Sequence, residues 1–67
     1  MRNLPETEAL MTPQEVAAFL AIPVATLHTW RASRTGPKAR LVGKHLRYRL
    51  SDVERWLEQQ PERRDVV

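Results

Sequence analysis

Two helix signals that stand only a few residues apart constrain the fold of this chain more than any other feature. The first helix is predicted to begin at Thr12, whose hydroxyl can accept from the free amides of a first turn, with Pro13 suited to the first helical position. Glu15 completes a capping box with Thr12. Pro23 then stops this helix, because a proline removes an amide donor and clashes with the preceding turn. A second helix can begin at once.

Apolar residues repeat at helical spacing in both predicted helices. Those of the first helix are Val16, Ala17 and Leu20. At about 100° per residue, the core side of the second helix carries Pro23, Leu27 and Trp30. Its opposite side carries small and polar residues: Ala25, His28, Thr29 and Ala32. Two helices joined by so short a turn are typical of a helix-turn-helix, whose second helix enters the major groove of DNA.

Two extended runs, 39–42 and 45–50, flank Gly43 and Lys44. The glycine can adopt the positive φ of a tight hairpin turn. Alternation along the second run predicts that three side chains face the core, Leu46, Tyr48 and Leu50. It directs three others outward, His45, Arg47 and Arg49. The pattern predicts a two-stranded wing with a basic outer face.

Ser51 and Glu54 form a second capping box and predict a third helix, which Pro61 stops. The predicted fold class is mostly α with a small β-hairpin: a winged helix-turn-helix made of a helix-turn-helix, a two-stranded wing and a third helix. This domain is expected to occupy residues 10–60. Residues 1–9 are predicted to form a flexible N-terminal arm, and residues 61–67 a flexible C-terminal tail.

Positive charge is concentrated in the middle of the chain. Seven of the 11 Lys and Arg residues fall within residues 31–49, and no Asp or Glu occurs between Glu15 and Asp52. Such segregation is expected when one face meets a polyanion and another meets water, which points to double-stranded DNA as a partner. The alternative is a basic surface that contacts water alone.

The composition argues against several other classes of protein. The chain has no cysteine, which excludes disulfides and thiolate zinc sites. His28 and His45 lie on different elements without nearby carboxylates, so no metal or other cofactor is expected. No nucleophile with its base and no phosphate-cradling glycine loop is recognisable, so no catalytic residues and no enzyme activity are predicted. Because neither a signal peptide nor a membrane span is recognisable, we expect a cytoplasmic protein without a membrane partner.

The caps, apolar residues and wing residues form five blocks between residues 10 and 58: Thr12-x-x-Glu15-Val16-Ala17-x-x-Leu20, Thr26-Leu27-x-x-Trp30-Arg31, Gly36-Pro37, Gly43-Lys44-x-x-Arg47-Tyr48-Arg49 and Asp52-Val53-x-x-Trp56-Leu57. In this order and spacing they resemble the excisionase-type branch of MerR-like winged helix DNA-binding domains. No single block is specific, and the resemblance depends on all five. It implies that the second helix reads the major groove and that the wing reaches the adjacent backbone or minor groove.

The resemblance also implies which residues contact DNA. On the reading helix these are Val24, Ala25, Thr26, His28, Thr29 and Arg31. On the wing and its flanks they are Lys38, Lys44, His45, Arg47 and Arg49. For Arg34 the sequence does not decide whether the side chain contacts only solvent or also a phosphate. Tyr48 is expected mainly to pack in the core.

The start of the reading helix departs from the pattern of this family. Similar domains usually have a serine followed by basic or polar residues, where this chain has Pro23-Val24-Ala25. The oxygen cap is lost, and so are two polar groove contacts. Val24 and Ala25 can touch a thymine methyl but cannot make bidentate hydrogen bonds to a base. Sequence reading is therefore expected to depend on His28, Thr29 and Arg31, and on DNA shape.

The resemblance implies a phage or mobile-element excisionase, also called a recombination directionality factor. Such a protein performs no chemistry; it binds and bends DNA at attachment-site repeats, cooperatively with further copies of itself, and directs an integrase toward excision. The lack of a recognisable effector or coiled-coil segment after the third helix favours this expectation. The alternatives are a small phage or prophage transcriptional regulator and, more remotely, a protein-interaction module such as an anti-repressor.

Overall fold

A computed structural model describes residues 9–62 of the chain. Its elements in order are β1 (Leu10–Met11), α1 (Pro13–Leu20), α2 (Val24–Ala32), β2 (Arg40–Val42), β3 (His45–Arg49) and α3 (Leu50–Glu58). This architecture confirms the predicted winged helix-turn-helix. The predicted arm and tail lie outside the described residues, apart from residues 9, 61 and 62.

The two helices of the helix-turn-helix begin and end as local chemistry dictates. The Glu15 amide donates to Thr12 Oγ1 at 3.1 Å, and the Thr12 amide donates to Glu15 Oε1 at 2.9 Å, which confirms the capping box. α1 ends where Ala21 takes a left-handed conformation, with φ 59°. The Ile22 amide then donates to the Ala17 carbonyl at 2.9 Å, as in a Schellman motif. An alanine thus occupies the left-handed position that is usually glycine.

Pro23 is the N-cap residue of α2, and no side-chain hydrogen bond caps this helix. The predicted loss of an oxygen cap is therefore confirmed. The prediction that Pro23 faces the core was wrong, since its side chain is exposed. The reason is that an N-cap residue precedes the first helical turn and does not share the stripe of Leu27 and Trp30.

The sheet has three antiparallel strands in the order β1-β3-β2. β2 and β3 form the predicted wing, with Val42 opposite His45 across the Gly43-Lys44 turn. β1 was not predicted. It pairs Met11 with Tyr48 on the other edge of β3, and two residues are too few to show an alternation in the sequence.

The core lies where all three helices meet β3. Its four largest buried side chains are at most 1% exposed: Val16, Leu27, Tyr48 and Val53. The rings of Trp30 and Trp56 lie 5.2 Å apart between centroids and join α2 to α3. Trp30, which the sequence placed on the core side of the second helix, thus packs against the third helix.

The junction between β3 and α3 differs from its prediction. α3 begins at Leu50 with Arg49 as its N-cap residue, so Ser51 is not the cap that the sequence suggested. Leu50 is 36% exposed and does not continue the core face of the strand. The physical reason is that β3 passes into α3 without an intervening loop, so the strand alternation ends at Arg49.

We expect Gly36→Ala to destabilise the fold more than Gly43→Ala. Both glycines have positive φ, 80° and 65°, but an added Cβ at 36 would lie 3.0 Å from Trp30 Cβ and Cε3, whereas at 43 nothing lies within 4 Å. Strain alone costs about 1–2 kcal/mol, and overpacking adds about 1–3 kcal/mol at position 36. Urea denaturation monitored by tryptophan fluorescence measures the difference. Equal losses of stability in the two variants would show that Gly36 does not pack closely against Trp30.

Candidate nucleic-acid interface

One face of α2 is open to solvent. Opposite the buried Leu27, the exposed side chains form a stripe at helical spacing: Ala25, His28, Thr29 and Ala32. Arg31 is also exposed, beside this stripe. Val24 and Thr26 are half-buried, so the structure presents only part of each to a ligand. Of the six reading-helix residues named from the sequence, four are therefore fully available on the surface.

The exposed face of α2 offers few groups that could identify a base. Alanine contributes only a methyl group. The His28 ring and the Thr29 hydroxyl can each make one hydrogen bond to a base edge, and neither can make a bidentate pair. Arg31 alone on this helix carries a fork of donors that can pair with guanine in a bidentate manner. The stripe can approach a groove closely, yet it can specify little of the base sequence by hydrogen bonds.

The loop after α2 is held by hydrogen bonds to the last carbonyls of the helix. Ser33 Oγ donates to the Thr29 carbonyl at 2.8 Å, and the Thr35 amide donates to the Trp30 carbonyl at 2.7 Å. Arg34 takes a left-handed conformation between them, with φ 62°. A non-glycine residue there costs about 1–2 kcal/mol. The two hydrogen bonds fix the path of the loop. This path brings Arg34 and Lys38 close to Arg31.

The outer face of the wing carries most of its cations. Directly opposed residues of an antiparallel pair project on the same side, and Arg40 lies opposite Arg47. Alternation places His45, Arg47 and Arg49 together on this side, with Lys44 exposed in the turn. Arg47 is half-buried, and its Nη1 donates to the Leu46 carbonyl at 2.7 Å, so its guanidinium is partly fixed.

Sequence reasoning missed one cation of this surface, Arg40, and two exposed apolar residues of β2. Arg40 could have been found from the register of the two-residue turn, because Val42 opposite His45 sets Arg40 opposite Arg47. Leu41 and Val42 are 62% and 50% exposed at the end of the wing. Aliphatic side chains on a basic wing can contact the sugar walls of a minor groove.

The charge of Arg31 on α2 acts on Tyr48 of β3. Burial raises the pKa of Tyr48 above its ordinary 10.0, and the positive charge of Arg31 opposes this rise. The guanidinium at the end of α2 therefore lies within electrostatic reach of the phenol of β3. The core around Tyr48, which includes Leu27 of α2, holds the helix against β3.

Within residues 9–62 no group of His, Cys, Asp or Glu is arranged to hold a metal ion. In the same range, no helix is long and apolar enough to cross a membrane.

The sequence matches the family model described as "Helix-turn-helix domain" over residues 10–61, which is most of the chain. No curated protein and no solved structure matches the chain. The matched range contains every element from β1 to α3, and with them both surfaces described above.

Tyr48 is the only tyrosine of the chain, so tyrosinate absorbance reports on it alone. We expect it to titrate above pH 10, and Arg31→Gln to raise its pKa further, because the opposing charge is removed. Since the folded pKa exceeds the unfolded one, the stabilisation is complete below about pH 10 and is lost as the pH rises through the folded pKa. Arg40→Gln is the matched control and should leave the titration unchanged. Identical curves for both variants would contradict the placement of Arg31.

Proposed function

The chain belongs to the helix-turn-helix domain family, and from this premise we propose that it is the excisionase of a phage or other mobile element. A helix-turn-helix indicates DNA binding, with the second helix in the major groove. In the proposal, α2 occupies that groove and the β2–β3 wing lies against the neighbouring backbone or minor groove. The protein performs no chemistry; it binds and bends double-stranded DNA and directs an integrase toward excision.

The observation that carries the proposal is the contrast between the exposed face of α2, which offers few groups to bases, and the cations around it, which can contact phosphates. The exposed stripe of α2 contains two alanines, while exposed cations surround it on the exit loop and the wing. A bidentate base contact is worth about 1–3 kcal/mol of discrimination, whereas phosphate contacts position a protein without reading sequence. Recognition through the backbone and DNA shape suits an architectural protein, whose task is to set the path of the duplex.

Cooperative binding follows from the small size of this surface. One reading helix and one wing form an interface of the size of a single module, about 600–1,000 Å². Such a module binds weakly by itself, so the proposal includes several protomers on adjacent attachment-site repeats, in contact head to tail.

A small transcriptional regulator would have the same fold and the same basic surface. The five-block resemblance to excisionases supports the first proposal over this one. A protein-interaction module such as an anti-repressor has less support, because seven cations in residues 31–49 without a single carboxylate form the charge pattern expected of a surface that meets DNA.

A recombination assay tests the proposal, with plasmids that carry the attachment sites of the element and with its own integrase. We expect the protein to raise the yield of excision and to lower that of integration. A variant with Arg40→Glu and Lys44→Glu should lose both effects, because it reverses charge on the wing, whereas Glu58→Gln on the exposed side of α3 should retain them.

Two other outcomes would overturn the excisionase assignment. DNA binding with unchanged excision and integration would exclude it. In that case an altered output from a promoter beside the binding site would identify a transcriptional regulator. Failure to shift any duplex at moderate salt would exclude DNA binding altogether and leave the protein-interaction module.

A further inference from the structure

The exit loop of α2 lines a basic concavity that is open to solvent. Its volume is about 530 Å³, and three cations line it, Arg31, Arg34 and Lys38, together with Thr35 and Gly36. No carboxylate lies among its lining residues. On the other side of Gly36 a smaller concavity includes Asp52 and Arg55, whose charged atoms approach to 3.7 Å. That second space shares Lys38 with the first and contains a carboxylate, whereas the charged residues that line the first are all cations.

The conformation of Arg34 is unfavourable for stability. The Arg34 amide donates to the Arg31 carbonyl at 3.1 Å, and the Thr35 amide donates to the Trp30 carbonyl, which together form a Schellman motif. The left-handed position of this motif, at φ 62°, is usually glycine because other residues are strained there. A cation near a helix C-terminus gains from the helix dipole, but Arg31 already provides a charge at that end.

We propose that this concavity, lined by Arg31, Arg34 and Lys38, binds a phosphate group of the DNA backbone, and that Arg34 is kept in its strained conformation for this contact. A guanidinium presents a planar fork of donors that fits phosphate oxygens, and two guanidiniums and an ammonium surround the same space. The position directly after the reading helix is where the backbone beside the major groove passes. The inference rests on the proposed DNA binding, which supplies the phosphate.

The chain offers a matched control for Arg34. Ala21 occupies the equivalent left-handed position after α1, with φ 59° and the same pair of hydrogen bonds. We expect Ala21→Gly and Arg34→Gly both to raise the denaturation midpoint, because glycine relieves the strain. Only Arg34→Gly should weaken binding to duplex DNA, by about tenfold, and reduce the slope of log affinity against log salt by about 1. Arg34→Asn, which also tolerates this conformation, should weaken binding equally.

The outcomes separate this inference from the proposed function. If Arg34→Gly binds DNA with unchanged affinity and salt slope while the wild type binds normally, the phosphate contact is refuted and DNA binding stands. If the wild type binds no duplex, the proposed function itself fails. Inorganic phosphate is the second probe: if at equal ionic strength it raises the wild-type midpoint more than chloride does, and not that of Arg34→Gly, while Arg34→Gly binds DNA as tightly as the wild type, the concavity binds small phosphate compounds and its assignment to DNA is overturned.

Discussion

The rest of the structure depends on the packing of one face of α2. Leu27 is buried in the core, and Trp30 lies against Trp56 of α3, so the rotation of the helix about its axis is fixed. That rotation decides that Ala25, His28 and Thr29 face outward. The same tryptophan contacts Gly36, so the path of the exit loop depends on this packing as well. A core interaction thus determines which groups the protein can present to DNA.

Features encoded over a few neighbouring residues could be predicted from the sequence. The capping box at Thr12 closes within four residues, and the stripes of α1 and α2 follow from helical periodicity. Features that depend on distant partners could not. β1 exists because Met11 pairs with Tyr48, far along the chain. The start of α3 one residue before Ser51 depends on how the chain leaves the sheet, which no local cap signals.

The candidate site shows the same division between local and tertiary information. The sequence alone located the cations of residues 31–49 and the solvent face of α2. It left the role of Arg34 open, because a left-handed arginine is a property of the loop fold and not of the arginine itself. In the proposed function, exposed cations of the loop and the wing hold the DNA backbone around a helix that offers few base contacts. The protein is thereby suited to recognise DNA by shape and charge.

The salt dependence of binding tests this account most directly. Affinity would be measured from about 50 to 200 mM salt for a duplex with the attachment-site sequence and for a shuffled duplex of equal length. If ~4–6 phosphates are contacted, the logarithm of affinity falls with a slope of about −4 to −5 for both duplexes, and the preference for the specific site is about 10³ or less. A slope near zero, combined with a strong preference that persists at all salt concentrations, would show that base contacts dominate and would contradict the account.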